Sequence, residues 1–274
     1  MSIKMKKTVA IVGLGLIGGS LALALKDKFT VWGCSRKRAT EEYALECGMI
    51  DEIRGTDNLR GADCVIACTP LKVLRDTVKE IYSAVGDSAL ITDVGSVKGM
   101  LEGLPGRLVG GHPMAGNERS GIEAAENGLF RGAYYCIVPY KNSCDEDVEF
   151  VTQIAKTVES IPVTLSPEEH DRLAARYSHA PHMCAYALSE SMIDDSATIA
   201  GSGFSDSTRI ALSDADFWTE VFKLNRRNTL DALDGYMLEL GKMKKLLENE
   251  DYDALKVELN KARNKRIGLG DKDK

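Results

Sequence analysis

Short, unbroken apolar runs recur through the first half of this chain. TVAIVG (8–13), FTVWGCS (29–35), DCVIACTP (63–70) and SALITDVGS (88–96) are rich in β-branched residues and too short for stable helices. They read as strands covered on both faces. Shorter strands are expected at RLVGGHP, AYYCIVPY and IPVTLS. Between them, LIGGSLALALKDK, RATEEYALECG, LKVLRDTVKEIYSAV and DEDVEFVTQIAKTVES carry their apolar residues at helical spacing. Strands alternating with helices predict a parallel, doubly wound α/β sheet with right-handed crossovers over residues 1–165.

The pattern changes near Ser166-Pro167. Residues 166–274 show little strand signal and read as an all-helical second domain. EEHDRLAARYSHAPHMCAYALSESM has the spacing of one long helix, which Pro181 should kink or divide. SGFSDSTRI (202–210) reads as a polar loop, and two further helical stretches follow. Apolar faces repeated along these helices predict a homodimer formed through them, the plainer alternative being that they pack only on the first domain.

One turn has the context of a dinucleotide-binding fingerprint: Gly13-x-Gly15-x-x-Gly18 leaves the first strand and opens the first helix. Gly13 permits the tight turn, Gly15 lets a pyrophosphate approach the backbone, and Gly18 lets the helix pack against the strand. The first backbone N–H groups of that helix, at Leu16 and Ile17, face the phosphates. The second strand ends in Ser35-Arg36-Lys37-Arg38 with no carboxylate. A hydroxyl beside cations suits a 2′-phosphate, so NADP is favoured over NAD. Ligands of open sheets lie beyond the carboxyl ends of the strands. Thr69 (in CTP), Ser96 (in DVGSVKG) and His112 (in GGHPMAG) are therefore placed near the cofactor. A histidine there can accept a proton from an alcohol as hydride leaves the same carbon. Position alone leaves open a purely structural histidine. Gly110 and Gly111 are expected to leave room for cofactor and substrate, with Pro113 stiffening the exit.

Composition narrows this picture. The 274 residues carry a formal net charge of −6, which points away from nucleic acid and requires any anionic substrate to be met by local positive charge. No stretch approaches the roughly 20 apolar residues of a membrane span. The basic start MSIKMKK is followed by a run broken by glycines, with no cleavage pattern. Seven scattered cysteines suit a reduced, cytoplasmic protein. His179, His182, His170 and Cys184 match no zinc spacing, so no metal is expected.

VAIVGLGLIGGSLA, TDVGSVKG, GGHPMAGNERSG, EEHDRLAARYSHAPH and GFSDSTRIA, in this order, resemble the prephenate and arogenate dehydrogenases of tyrosine biosynthesis over nearly the whole chain. The resemblance implies an NAD(P)-dependent oxidative decarboxylation of a cyclohexadienol, prephenate or arogenate, with prephenate favoured by the second histidine of SHAPH. It implies that His112 is the catalytic base on the ring hydroxyl and that Ser96 bonds the same hydroxyl. Arg209 would bind a substrate carboxylate and His182 would face the substrate, with Ser178 and His179 beside it. Glu118 and Asp206 would be supporting or gating polar groups.

Overall fold

The computed structural model describes residues 6–117, 119–191 and 199–269. It comprises two compact units, Met1–Arg226 and Arg227–Lys274. The larger unit is built on an eight-stranded sheet. Its strands are β1 (Thr8–Val12), β2 (Thr30–Cys34), β3 (Glu52–Ile53), β4 (Cys64–Ala67), β5 (Leu90–Asp93), β6 (Leu108–Pro113), β7 (Tyr134–Pro139) and β8 (Ile161–Thr164), in the spatial order β3-β2-β1-β4-β5-β6-β7-β8. The strand order grows outward from β1 first on one side and then on the other while the strands stay parallel, which is the doubly wound arrangement, and it opens a crevice at the carboxyl ends of β1 and β4.

The expectation of a wholly parallel sheet is corrected at β7, which pairs antiparallel with β6. A parallel return needs a crossover element. The described part of the 114–133 connection holds only the single 3-10 turn Ile122–Ala124, so the chain comes back beside β6 in the opposite sense. Helix α4 (Asp145–Thr157) then carries the chain across to β8, parallel to β7. The two-residue edge strand β3 was not anticipated, because its sequence carries no apolar run.

Apolar runs in the central strands follow from the two covered faces. Val9 and Ile11 of β1 join one core with Leu21 and Leu25 of α1 (Leu16–Leu25) and Val151 and Ile154 of α4. Ala10 and Val12 join the other core, with Leu74, Val78 and Ile81 of α3 (Leu71–Val85). Each of these leucines and isoleucines is almost fully buried, and such burial is worth about 1.5–3 kcal/mol per side chain. Helix α2 (Arg38–Glu46) covers the β2 end of the sheet.

Past the sheet, Ser166 accepts the Glu169 backbone N–H at 3.1 Å and Pro167 occupies the first turn of α5 (Pro167–Ala174), two helix-start signals readable in the sequence. The long expected helix runs through its proline, with its irregularity in the turn just before Pro181. A π turn (Ala175–His179) joins α5 to α6 (Ala180–Glu190), whose first turn contains Pro181. Pro181 offers no N–H to an α-helical partner, and the wider turn absorbs the deficit without breaking the helix. The segment expected as a polar loop is instead α7 (Ser202–Thr208) followed by a 3-10 turn (Arg209–Leu212). The hydroxyls of Ser207 and Thr208 donate back to the Gly203 and Phe204 carbonyls, so these loop-type residues are accommodated within helical turns. Helix α8 (Ala215–Leu224) is capped by Asp214, which accepts the Phe217 N–H at 2.7 Å, and it packs Trp218 and Val221 against Leu71 and Val97. Asn225 separates it from α9 (Arg226–Glu248), where the sequence reads as continuous helix.

The smaller unit contains nearly all of α9 and the whole of α10 (Tyr252–Gly268). Met237, Leu238 and Leu240 on α9, and Val257 and Leu259 on α10, are exposed in the single chain. Among the described residues no helix is long and apolar enough to cross a membrane.

Candidate functional site

The glycine turn lies where the sequence places it. Gly13 has φ +105°, and a Cβ there would sit 2.6 Å from the Cys68 carbonyl oxygen. A Cβ on Gly18 would collide with the Gly13 carbonyl oxygen, whereas one on Gly15 would meet nothing within 4 Å. Two glycines are thus demanded by the protein itself, and the third faces open space at the N-terminus of α1. That is the cradle a pyrophosphate would fill, with Leu16 and Ile17 opening the helix beside it. Thr69, half-buried just beyond β4, donates its hydroxyl to Thr77 at 3.1 Å.

At the end of β2 the fold supplies a carboxylate that the linear reading overlooked. Glu41, in the first turn of α2, is buried and accepts the Ser35 backbone N–H at 3.0 Å. Arg38 is turned toward Glu41 (3.6 Å) and Glu42 (2.9 Å). Arg36 and Lys37 are exposed, and the Ser35 hydroxyl accepts the Lys37 N–H at 3.4 Å.

His112, next to last in β6, lies in a buried polar cluster. Its Nδ1 is 2.8 Å from Nε2 of His170 on α5, whose Nδ1 is 2.8 Å from Oδ1 of Asp171. The Asp171 carboxylate also accepts the backbone N–H groups of Lys98 (2.8 Å) and Gly99 (2.9 Å). Lys98 is entirely buried. Its ammonium is 2.5 Å from Asp93 Oδ2, at the end of β5, and donates to the Gly111 carbonyl at 2.6 Å. Asp93 in turn accepts the N–H groups of Gly95 (2.8 Å) and Gly111 (3.2 Å). Ser96 lies half-buried in the same turn. The space beside Gly110 and Gly111, expected to serve ligands, is filled by protein. A Cβ on Gly110 would be 3.0 Å from Lys98 Cδ and from the Tyr140 hydroxyl, and one on Gly111 would be 2.8 Å from the Tyr135 hydroxyl. The glycines are needed to admit the lysine and two tyrosines that brace the strand end.

Burial sets the charge state of this cluster. It pushes His112 well below the usual imidazole range, helped by the neighbouring His170, Lys98 and His179. His170 is lowered by burial too, against the opposing pull of Asp171. Burial alone would raise the Asp171 carboxyl, but the bonds from His170, Lys98 and Gly99 hold it below its ordinary value. The cluster therefore presents two neutral imidazoles backed by one carboxylate at neutral pH.

The helices contribute a second group. His179, in the π turn, is fully buried and lowered to about 4, chiefly by desolvation. Its Nδ1 lies 3.2 Å from the Asn225 amide nitrogen, which also donates to the Asp171 carbonyl at 2.7 Å. Nδ1 therefore accepts, and Nε2 carries the proton as a buried donor with no partner among the described residues. His182 stacks on Trp218 with ring centroids 3.6 Å apart and is bonded through Nδ1 to the Ser178 carbonyl. Burial lowers His182, and the nearby Arg209 guanidinium lowers it further. Arg209 and Asp206 are exposed on the 3-10 turn and α7. Glu118 lies outside the described residues. The sequence reading passed over Asp93, Lys98, Asp171, Asn225 and Trp218, and weighed His170 only as a metal ligand. The one local signal was charge inside apolar company, as in TDVGSVKG.

Residues 21–163 match the family model of the prephenate dehydrogenase nucleotide-binding domain, and residues 166–261 match that of the prephenate dehydrogenase dimerization domain. The prephenate dehydrogenase of Bacillus subtilis (strain 168) is 34% identical over 285 residues, covering 97% of this chain and 77% of the relative. The crystal structure of prephenate dehydrogenase from A. aeolicus, in complex with hydroxyphenyl propionate and NAD+, matches with a TM-score of 0.87 at 30% identity, covering 98% of this chain and 100% of that one. The crystal structure of Synechocystis arogenate dehydrogenase matches with a TM-score of 0.83 at 28% identity, covering 96% and 99%.

Proposed function

The chain belongs to the prephenate dehydrogenase family, and from that membership and the buried cluster at the end of β6 we propose that it converts prephenate to 4-hydroxyphenylpyruvate and CO2 with hydride transfer to NAD(P)+. The observation that carries the assignment of roles is the neutral, buried His112, whose Nδ1 is engaged by His170 so that Nε2 is the nitrogen available to a substrate. Bound NAD(P)+ supplies the hydride acceptor, and the chain's own residues do the rest. His112 takes the ring-hydroxyl proton as hydride leaves the same carbon, with Ser96 orienting that hydroxyl. The ring carbonyl so formed draws in the electrons of the bond to the ring carboxylate. CO2 departs, the ring becomes aromatic, and the phenolate oxygen recovers its proton from His112. No net proton is released, so the histidine has to hold one only between the two steps. Arg209 holds a substrate carboxylate with its fork of donors, assisted by His182, Ser178 and the Nε2–H of His179, which has no partner among the described residues. Asp206 and Glu118 are assigned as supporting or gating polar groups on the same reading.

Gly13, Gly15, Leu16, Ile17, Gly18 and Thr69 form the cofactor site on this reading. Arg36, exposed beside Ser35, meets a 2′-phosphate, because Glu41 is already partnered by Ser35 and Arg38. The cofactor half is residues 1–165, and the helical half, 166–274, builds a homodimer through the exposed apolar faces of α9 and α10. The seven unpaired cysteines fit action in the cytoplasm.

Absorbance at 340 nm, with prephenate or arogenate and NAD or NADP in all four combinations, tests the activity. Turnover is expected with prephenate. Faster turnover with arogenate would favour the reading suggested by the Synechocystis relative, and silence in all four would reject the family chemistry. His112→Asn should bind prephenate and lose at least ~10³-fold in kcat. Arg36→Ala should weaken NADP about tenfold or more and leave NAD unchanged. An equal effect on both cofactors would remove the 2′-phosphate assignment.

A further inference from the structure

We propose that Asp171 and His170 are positioning residues that fix the tautomer of His112 and share the proton it carries between the two chemical steps. The inference rests on the reading of His112 as the proton acceptor. Donors and acceptors along the buried line fix the tautomers. Asp171 lies beneath two backbone N–H groups, those of Lys98 and Gly99, which only an acceptor can satisfy, so its oxygens are held as acceptors. The His170 Nδ1 beside Oδ1 must therefore carry a hydrogen and donate it. A neutral His170 then has a bare Nε2, and the ring nitrogen 2.8 Å from it, His112 Nδ1, must be the protonated one. The consequence falls on the far side of the ring: His112 Nε2 is left unprotonated, the state a general base requires. Had His112 the opposite tautomer, two lone pairs would face each other across the buried contact.

The same line of bonds accounts for the stored proton. When His112 takes a proton on Nε2, its Nδ1–H can shift onto His170 Nε2, and the resulting cation lies against the Asp171 carboxylate. The reverse shift returns the proton when the phenolate forms. The groups facing the imidazole pair are Asp171 from α5, Lys98 and Asp93 from β5 and its following turn, and His179 from the π turn. Lys98 opposes a cation there and is itself paired with Asp93, which leaves Asp171 as the carboxylate in direct contact with the pair.

The test compares variants by pH–rate profile and by the separation of kcat from KM. In Asp171→Asn, kcat should fall ~100-fold with KM for prephenate and cofactor within about threefold, and the acid limb of kcat/KM should move about one unit toward lower pH. His170→Phe fills the site without either bond and should lose ~100-fold, whereas His170→Gln restores an acceptor for His112 Nδ1–H and should recover about tenfold of that loss. Thermal midpoint and cofactor binding establish that each variant is folded. If Asp171→Asn does not fold, the His170 pair decides. An unmoved acid limb in folded Asp171→Asn, or equal rates in His170→Phe and His170→Gln, would overturn the relay. Retained turnover in His112→Asn would instead reject the underlying reading, so the two failures are distinguishable.

Discussion

At the scale of single residues, the glycine turn separates what the fold needs from what a ligand needs. A methyl group on Gly18 strikes a backbone carbonyl that cannot move aside, but one on Gly15 touches no protein atom. Gly18→Ala should therefore cost about 1–3 kcal/mol in chemical denaturation. Gly15→Ala should leave the denaturation midpoint unchanged and weaken NAD(P) at least about tenfold by equilibrium fluorescence, because its methyl group would occupy the phosphate position. Equal destabilisation by the two would mean that Gly15 has a packing role. The glycine spacing was readable from strand, turn and helix signals along the chain. The duties of Gly110 and Gly111 were not, because Lys98, Tyr135 and Tyr140 reach them from other strands and turns.

At the scale of elements, the helices after residue 166 show how local signals and packing divide the outcome. Ser166, Pro167 and Glu169 announce the start of α5 by themselves. Pro181 announces an interruption, but its form, a π turn that carries Ser178 and His179, depends on the continuous helix around it being held by packing. Replacing Pro181 by Ala restores an N–H and permits an ordinary α turn, which would rotate residues 175–179 away from Asn225. The thermal midpoint of Pro181→Ala should be unchanged or higher, while KM for prephenate rises several-fold. An unchanged KM would show that the wide turn does not position these side chains. The segment 202–210 misled in the other direction, since Ser, Gly and Asp are loop formers in isolation and here close their bonds within α7.

At the scale of the whole molecule, the neutral imidazoles make stability depend on pH. His112, His170 and His179 each titrate lower in the folded state than in the unfolded chain, so on acidification the unfolded state binds protons first. Their cost is absent above the unfolded value of 6.5 and grows as pH falls, for His179 until about 4. The denaturation midpoint should decline steadily from pH 7 toward pH 4.5, and the decline should be shallower in His179→Gln. A flat profile would mean that these histidines titrate normally. Sedimentation velocity should give a particle of twice the 29.9 kDa chain mass, and Leu238→Glu with Leu240→Glu should reduce it to one. A dimer that survives both substitutions would place the interface elsewhere.

The chain by itself determined the alternation of strands and helices, the glycine turn, the helix start at Ser166 and the position of His112 at a strand end. Each is written in neighbouring residues, through side-chain periodicity, backbone freedom and capping bonds. Tertiary structure alone decided the direction of β7, the carboxylate that meets Ser35, and the Asp171–His170–His112 line with its Lys98–Asp93 brace. His112 and His170 are 58 positions apart, and the Lys98 backbone N–H is 73 positions from the carboxylate it satisfies. Burial then makes those distant pairings obligatory, because a polar group removed from water must find its partner wherever the fold brings one within reach.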